Sequence, residues 1–175
     1  RDAAAGALWL SALFAGVLAF NRSYQVEIES GALDQLLQYP GSRWAIYVGK
    51  LIGNALFVGV MLVIVVAVGI ALFQVRIPAA WPSLIGVFAL GAVGLVVLGT
   101  FYAAMASRSR AREVLLPLLL FPMLVPVLLA AISATKALLV GDIMHESGAW
   151  IKLLAAYDLI FLVATLWAFE YVIEV

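Results

Sequence analysis

Residues 45–73 read AIYVGKLIGNALFVGVMLVIVVAVGIALF, twenty-nine positions with one charge, Lys50. A half-buried strand alternates apolar and polar residues over four to eight positions, and this run is far too long and too uniformly apolar for that. At 1.5 Å rise per residue it exceeds the roughly 30 Å hydrocarbon core that a transmembrane helix must cross. Tilt, or ends lying in the headgroup layer, absorbs the excess.

Working outward, four further runs have the length and apolarity of a span: about 3–20, 82–105, 114–135 and 150–173. In lipid a helix satisfies its own backbone groups, so the expected fold is all-α, a polytopic transmembrane bundle with five spans, forming one domain over residues 1–175. The composition agrees: of 175 residues 66% are hydrophobic and 11% charged, and mean hydropathy is +1.15. Soluble domains carry about twice that charge. Formal net charge is +0, which leaves no basic field for nucleic acid. Cysteine is absent, excluding disulfides, thiolate metal sites and covalent haem attachment.

Basic residues set the orientation. Arg22, Arg43, Lys50, Arg108, Arg110 and Arg112 fall on one side, and Arg1, Arg76, Lys136 and Lys152 on the other. The cluster SRSRAR (107–112) makes the first side cytoplasmic by the positive-inside rule. The segment 21–44 then lies in the cytoplasm, and residue 1 falls outside. The chain opens RDAAAGALWL, without Met, so a sixth span upstream is expected.

Between the first two spans, NRSYQVEIES reads as a polar turn, followed by Gly31 and then ALDQLLQYP. Leu33, Leu36 and Leu37 stand at i, i+3 and i+4, one apolar stripe on a short helix, with Asp34 opposite. Pro40 and Gly41 end it. Helices that lie on lipid usually carry Lys and Arg on the polar face, and this one carries acid, which suits a protein partner. The bland reading is a connecting helix that floats at the surface.

Inside the spans, Gly49 with Gly53, and Gly91, Gly94 and Gly99, allow close helix approach, either within the chain or at a dimer seam. Pro117, Pro122 and Pro126 interrupt the fourth span, as a static kink or a moving element. Asp158 lies about eight residues into the last span. Three roles fit it: a packing hydrogen bond, a pairing with Lys152 or Lys136, or a pathway site. His145, in GDIMHESG beside Met144, is the single histidine. A solvated loop residue is the plain reading, and haem ligation the tempting one. The tryptophans read mainly as interfacial anchors.

No catalytic motif occurs. Gly49-Lys50 is followed by Leu51 and lacks the upstream Gly of a phosphate loop, so ATP must be used by another chain. There is no G-x-S-x-G, H-E-x-x-H or paired-His pattern, and neither a metal nor a bound cofactor is expected.

The stretch VEIESGALDQLLQYPGSRWAIYVGK (26–50) resembles the E-x-E-x-G-x-L-[DE]-x-L-L-x-x-P…GK signature of membrane subunits of type-2 ABC exporters. Together with SRSRAREVLLPLLLFPMLVPVLLAA (107–131) and YDLIFLVATLWAFEYVIEV (157–175), it is similar to the haem exporter B family of cytochrome c maturation. The resemblance runs through most of the chain. It implies six spans in the full protein, of which these are the last five, and an inner-membrane location in bacteria. It also implies a separate ABC ATPase that docks on Glu27, Glu29, Gly31, Leu33, Asp34, Leu36, Leu37 and Pro40. Arg108, Arg110 and Arg112 form a second cytoplasmic contact, whose plain reading is topology-setting charge. Further implied partners are a second copy or other maturation subunits, with haem as a handled ligand. Two rivals stand beside it: a general exporter permease for drug, lipid or polysaccharide, and an ATP-independent scaffold.

Overall fold

The computed structural model describes residues 2–31, 43–74, 81–106, 111–141 and 146–174. Among them, five helices and no strand are found: α1 (Asp2–Glu29), α2 (Arg43–Phe73), α3 (Trp81–Ala106), α4 (Arg112–Val140) and α5 (Ser147–Glu174). All five are long and apolar enough to cross a bilayer. They run alternately up and down, so that the end of α1, the start of α2 and the end of α5 meet at one pole of the bundle.

The expected polar turn over NRSYQVEIES is helix instead. The polar stretch from Asn21 to Glu29 continues α1 as helix, and the turn comes only at Ser30–Gly31. Its cause is legible afterwards. Leu13, Val17, Phe20 and Tyr24 are all buried, and their spacing of four, three and four keeps one stripe facing the core past the point where hydropathy falls. Gly31 then takes φ +70, a left-handed conformation that side chains with a Cβ resist.

α3 is the hub and packs against each of the other four helices. Half of its most apolar window is buried, as is half of α1's, against 17% for α2 and α5, whose outward residues such as Leu56, Val63, Ile160 and Trp167 are exposed as lipid-facing positions must be. Glycines let α3 hold that centre. A Cβ at Gly91 would overlap the Trp9 ring, and one at Gly99 would overlap Phe20. Gly49 and Gly53 behave differently, with nothing within 4 Å of a Cβ built there.

Trp9 is wholly buried, unlike an interfacial anchor; Trp81 and Trp167 are exposed. α4 stays one helix through Pro117, Pro122 and Pro126. The Tyr157 hydroxyl of α5 donates to the Met123 carbonyl, between two of those prolines, where the helix has fewer backbone donors of its own. Gly141, at φ 106, closes α4 by donating its N–H to the Ala137 and Leu138 carbonyls.

Candidate functional site: the pole where α1 meets α2

The 32–42 segment joins the end of α1 to the start of α2, and one side chain clamps those two helices together. Lys50 stands two turns into α2, and its long stem carries the ammonium back to α1. Its Nζ lies 2.6 Å from Glu27 Oε1 and donates to the Ser23 carbonyl at 3.0 Å and the Ser23 hydroxyl at 3.1 Å. An ammonium has three donors, and these three acceptors use them all. The Tyr24 ring adds a face 4.3 Å from Nζ. With side-chain exposures of 10% for Lys50 and 28% for Glu27, the pair is screened far less than a surface ion pair.

The clamp is backed by contacts deeper in the bundle. Tyr47, one turn before Lys50, donates its hydroxyl to the Val97 carbonyl of α3 at 3.2 Å and stacks on Phe169 of α5 at 4.4 Å between ring centroids. Asn54, one turn after, donates to the Thr100 hydroxyl of α3 at 2.8 Å. Both are buried, and a polar group in that position requires a partner. Consecutive turns of α2 are thus tied to α1, α3 and α5. A displacement of the clamped ends has a stiff route into the rest of the bundle.

Of the residues singled out for docking, Glu27 forms the clamp, and Glu29 accepts from Gln25 Nε2 at 2.7 Å on the exposed side of α1. Gly31 makes the turn that leads out of α1. Leu33, Asp34, Leu36, Leu37 and Pro40 lie outside the described residues, as do Arg108, Arg110, Met144 and His145; Arg112 begins α4. Asp158 takes no part in the clamp and sits at the seam of α3, α4 and α5, beside Gly94. It is 5% exposed, and among the described residues neither carboxylate oxygen has a hydrogen-bond partner.

The Lys50–Glu27 bridge escaped the sequence reading, which took Lys50 as a cytoplasmic-side charge, as the end of the exporter-like signature and as part of a failed phosphate loop. The available signal was that a lysine inside a span needs an acid within reach. Among the described residues no cluster of three or more His, Cys, Asp or Glu is placed to hold a metal ion.

Five apolar helices, a small-residue hub and a charged clamp at one pole define an integral membrane protein of the polytopic helical class. The chain belongs to the CcmB protein family, whose match covers residues 1–175. It is similar to heme exporter protein B of Rhodobacter capsulatus, 35% identical over 72% of this chain and 57% of the relative. The protein of that name from Paracoccus denitrificans is 32% identical over 76% of this chain and 61% of the relative. That from Haemophilus influenzae is 28% identical over 77% and 60%. The chain thus spans about three fifths of the length of these curated relatives. No solved structure matches it.

Proposed function

We propose that this chain is the membrane subunit of an ABC transporter complex, acting in haem export or in release of a haem-carrying partner during cytochrome c maturation in the bacterial inner membrane. It performs no chemistry itself. A separate ATPase docks on the 26–40 region, and its nucleotide-driven closure moves the spans. The observation that carries this reading is the Lys50–Glu27 clamp, which holds the two helices on either side of the docking segment as one body. A push on that segment therefore reaches α1 and α2 together, and through Tyr47 and Asn54 it reaches α3 and α5.

The ATPase drives motion only if its two nucleotide states bind the segment with different free energies. The acidic polar face and the Leu33, Leu36, Leu37 stripe suit docking in a protein groove. Haem as the handled ligand is supported by the relatives' name, heme exporter protein B, and by the resemblance of residues 107–131 and 157–175.

The test is co-purification of a cytosolic ATPase with the full-length protein from native membranes, comparing wild type with Leu36→Asp/Leu37→Asp. Capture lost in the double variant, at equal membrane level, supports docking on that stripe. No ATPase with either protein leaves the scaffold reading. Cytochrome c yield then separates haem export from general export, which would show as lost resistance or lost lipid or polysaccharide export.

A further inference from the structure

A groove of about 610 Å³ opens between α1 and α2 beside the Lys50–Glu27 clamp. Its floor is Gly49 and Gly53, whose missing side chains leave open space, and its walls include Ala19, Ile46 and Phe57. The volume is that of a small-molecule site. From Ala45 to Phe57 the lining follows about 18 Å of helix axis, a little more than half of the roughly 30 Å hydrocarbon core. Below the level of Lys50, where Arg22 and Ser23 also stand, the lining continues for about 10 Å to Phe57, roughly two thirds of one leaflet, and is apolar apart from Asn54.

Its mouth carries charge of one dominant sign. Arg22, Lys50 and Glu27 all line it, leaving one net positive charge. Lys50 is committed to Glu27 and Ser23, while Arg22 is exposed and has no ion-pair or hydrogen-bond partner among the described residues. A guanidinium presents a planar fork of donors that matches a phosphate. An exposed, unpaired Arg beside an apolar channel lined by Gly53, Ala19 and Phe57 is complementary to a phosphate that carries acyl chains.

We propose that this groove binds an anionic phospholipid, with the headgroup phosphate on Arg22 and an acyl chain along Gly49 and Gly53 towards Phe57. Charge complementarity favours a net negative lipid such as phosphatidylglycerol over a zwitterionic one. The inference does not rest on ATPase docking, although Val26 and Glu27 belong to both regions.

The experiment is native mass spectrometry of the full-length protein in mild detergent, with phosphatidylglycerol or phosphatidylcholine of identical acyl chains added. Wild type is expected to retain phosphatidylglycerol in preference. Arg22→Gln, which disturbs no packing, lowers that retention about tenfold through loss of a charge-assisted hydrogen bond. Gly53→Leu fills the channel and abolishes retention, while Gly86→Leu, an equally open position away from the groove, leaves it unchanged. Equal retention of the two lipids by wild type, or unchanged retention in both Arg22→Gln and Gly53→Leu, overturns the proposal. So does displacement of the lipid by inorganic phosphate, which would make the ligand a free anion. A wild-type oligomer that carries no lipid and dissociates in Gly53→Leu would assign the groove to a second copy instead. Should Gly53→Leu fail to fold, Arg22→Gln decides alone.

Discussion

The Trp9 indole N–H donates to the Thr135 hydroxyl at 3.1 Å, joining α1 to α4 across 126 positions of sequence. Thr135 passes its own proton on to the Ala131 carbonyl at 2.7 Å, so the pair leaves no orphan donor. The same indole stacks on Phe88 at 5.3 Å and covers Gly91, so one side chain holds α1, α3 and α4. In lipid no hydrophobic force draws helices together, and such fitted contacts carry the association.

Trp9→Phe keeps most of the ring and loses the hydrogen bond, at a cost of about 1 kcal/mol. Gly91→Ala costs more, about 1–3 kcal/mol, because the new methyl overlaps a ring that is fixed on three sides. Gly49→Ala, where a methyl meets nothing, is near neutral. Unfolding of the full-length protein in mixed micelles ranks the three. Equal costs at Gly91 and Gly49 would contradict the packing described.

The Lys50–Glu27 clamp predicts non-additivity. Lys50→Met leaves the Glu27 carboxylate partly buried without its cation, and Glu27→Gln leaves the ammonium without its counter-charge, with only neutral acceptors and the Tyr24 ring around it. Each single change is expected to destabilise by about 1–3 kcal/mol, the scale of hydrogen bonds to charged groups. The double variant removes both mismatches and should cost clearly less than the two singles together. The same micelle unfolding, run as a double-mutant cycle, measures this; strict additivity would mean that the two residues do not interact.

How far the sequence revealed this arrangement differs between elements. The spans were readable because the bilayer imposes a length, and twenty-nine nearly uncharged residues admit little else. The extension of α1 to Glu29 was missed because polarity was taken as the end of the helix, although the stripe through Phe20 and Tyr24 keeps its period. Composition could not distinguish Gly91 and Gly99, which receive aromatic rings, from Gly49 and Gly53, which face open space. That distinction depends on which helix lies opposite, a long-range property that no local pattern holds. The clamp was hidden for the same reason: Glu27 and Lys50 stand on different helices.

The proposed docking on the 26–40 region makes a claim about the clamp that stability alone does not test. If Lys50 and Glu27 transmit motion, Lys50→Met should leave ATPase capture intact and lower cytochrome c yield, at matched membrane level. Leu36→Asp/Leu37→Asp should lose both. Capture by co-purification and yield by haem-stained cytochrome, measured on the same membranes, separate docking from transmission. Parallel loss of capture in Lys50→Met would place the residue in docking itself.

Asp158 offers the sharpest separation of structure from function. Its carboxylate is buried against Gly94, where a Cβ would come within 2.8 Å of Oδ1 and 2.9 Å of Val127 Cγ1. Gly94→Ala therefore crowds the seam of α3, α4 and α5 and should destabilise by about 1–3 kcal/mol. Asp158→Ala should relieve part of that cost in the double variant, because it removes the atom that the methyl meets. Asp158→Asn keeps the shape and removes the ionisable group. Both oxygens lack hydrogen-bond partners among the described residues, so the amide forfeits no contact seen there and stability should change by less than about 1 kcal/mol. Transport or cytochrome c yield is then the informative readout. A stable Asp158→Asn protein with normal yield makes the residue a feature of packing. A stable protein with lost yield makes the carboxyl part of the working path, since nothing in its surroundings would account for the loss through folding.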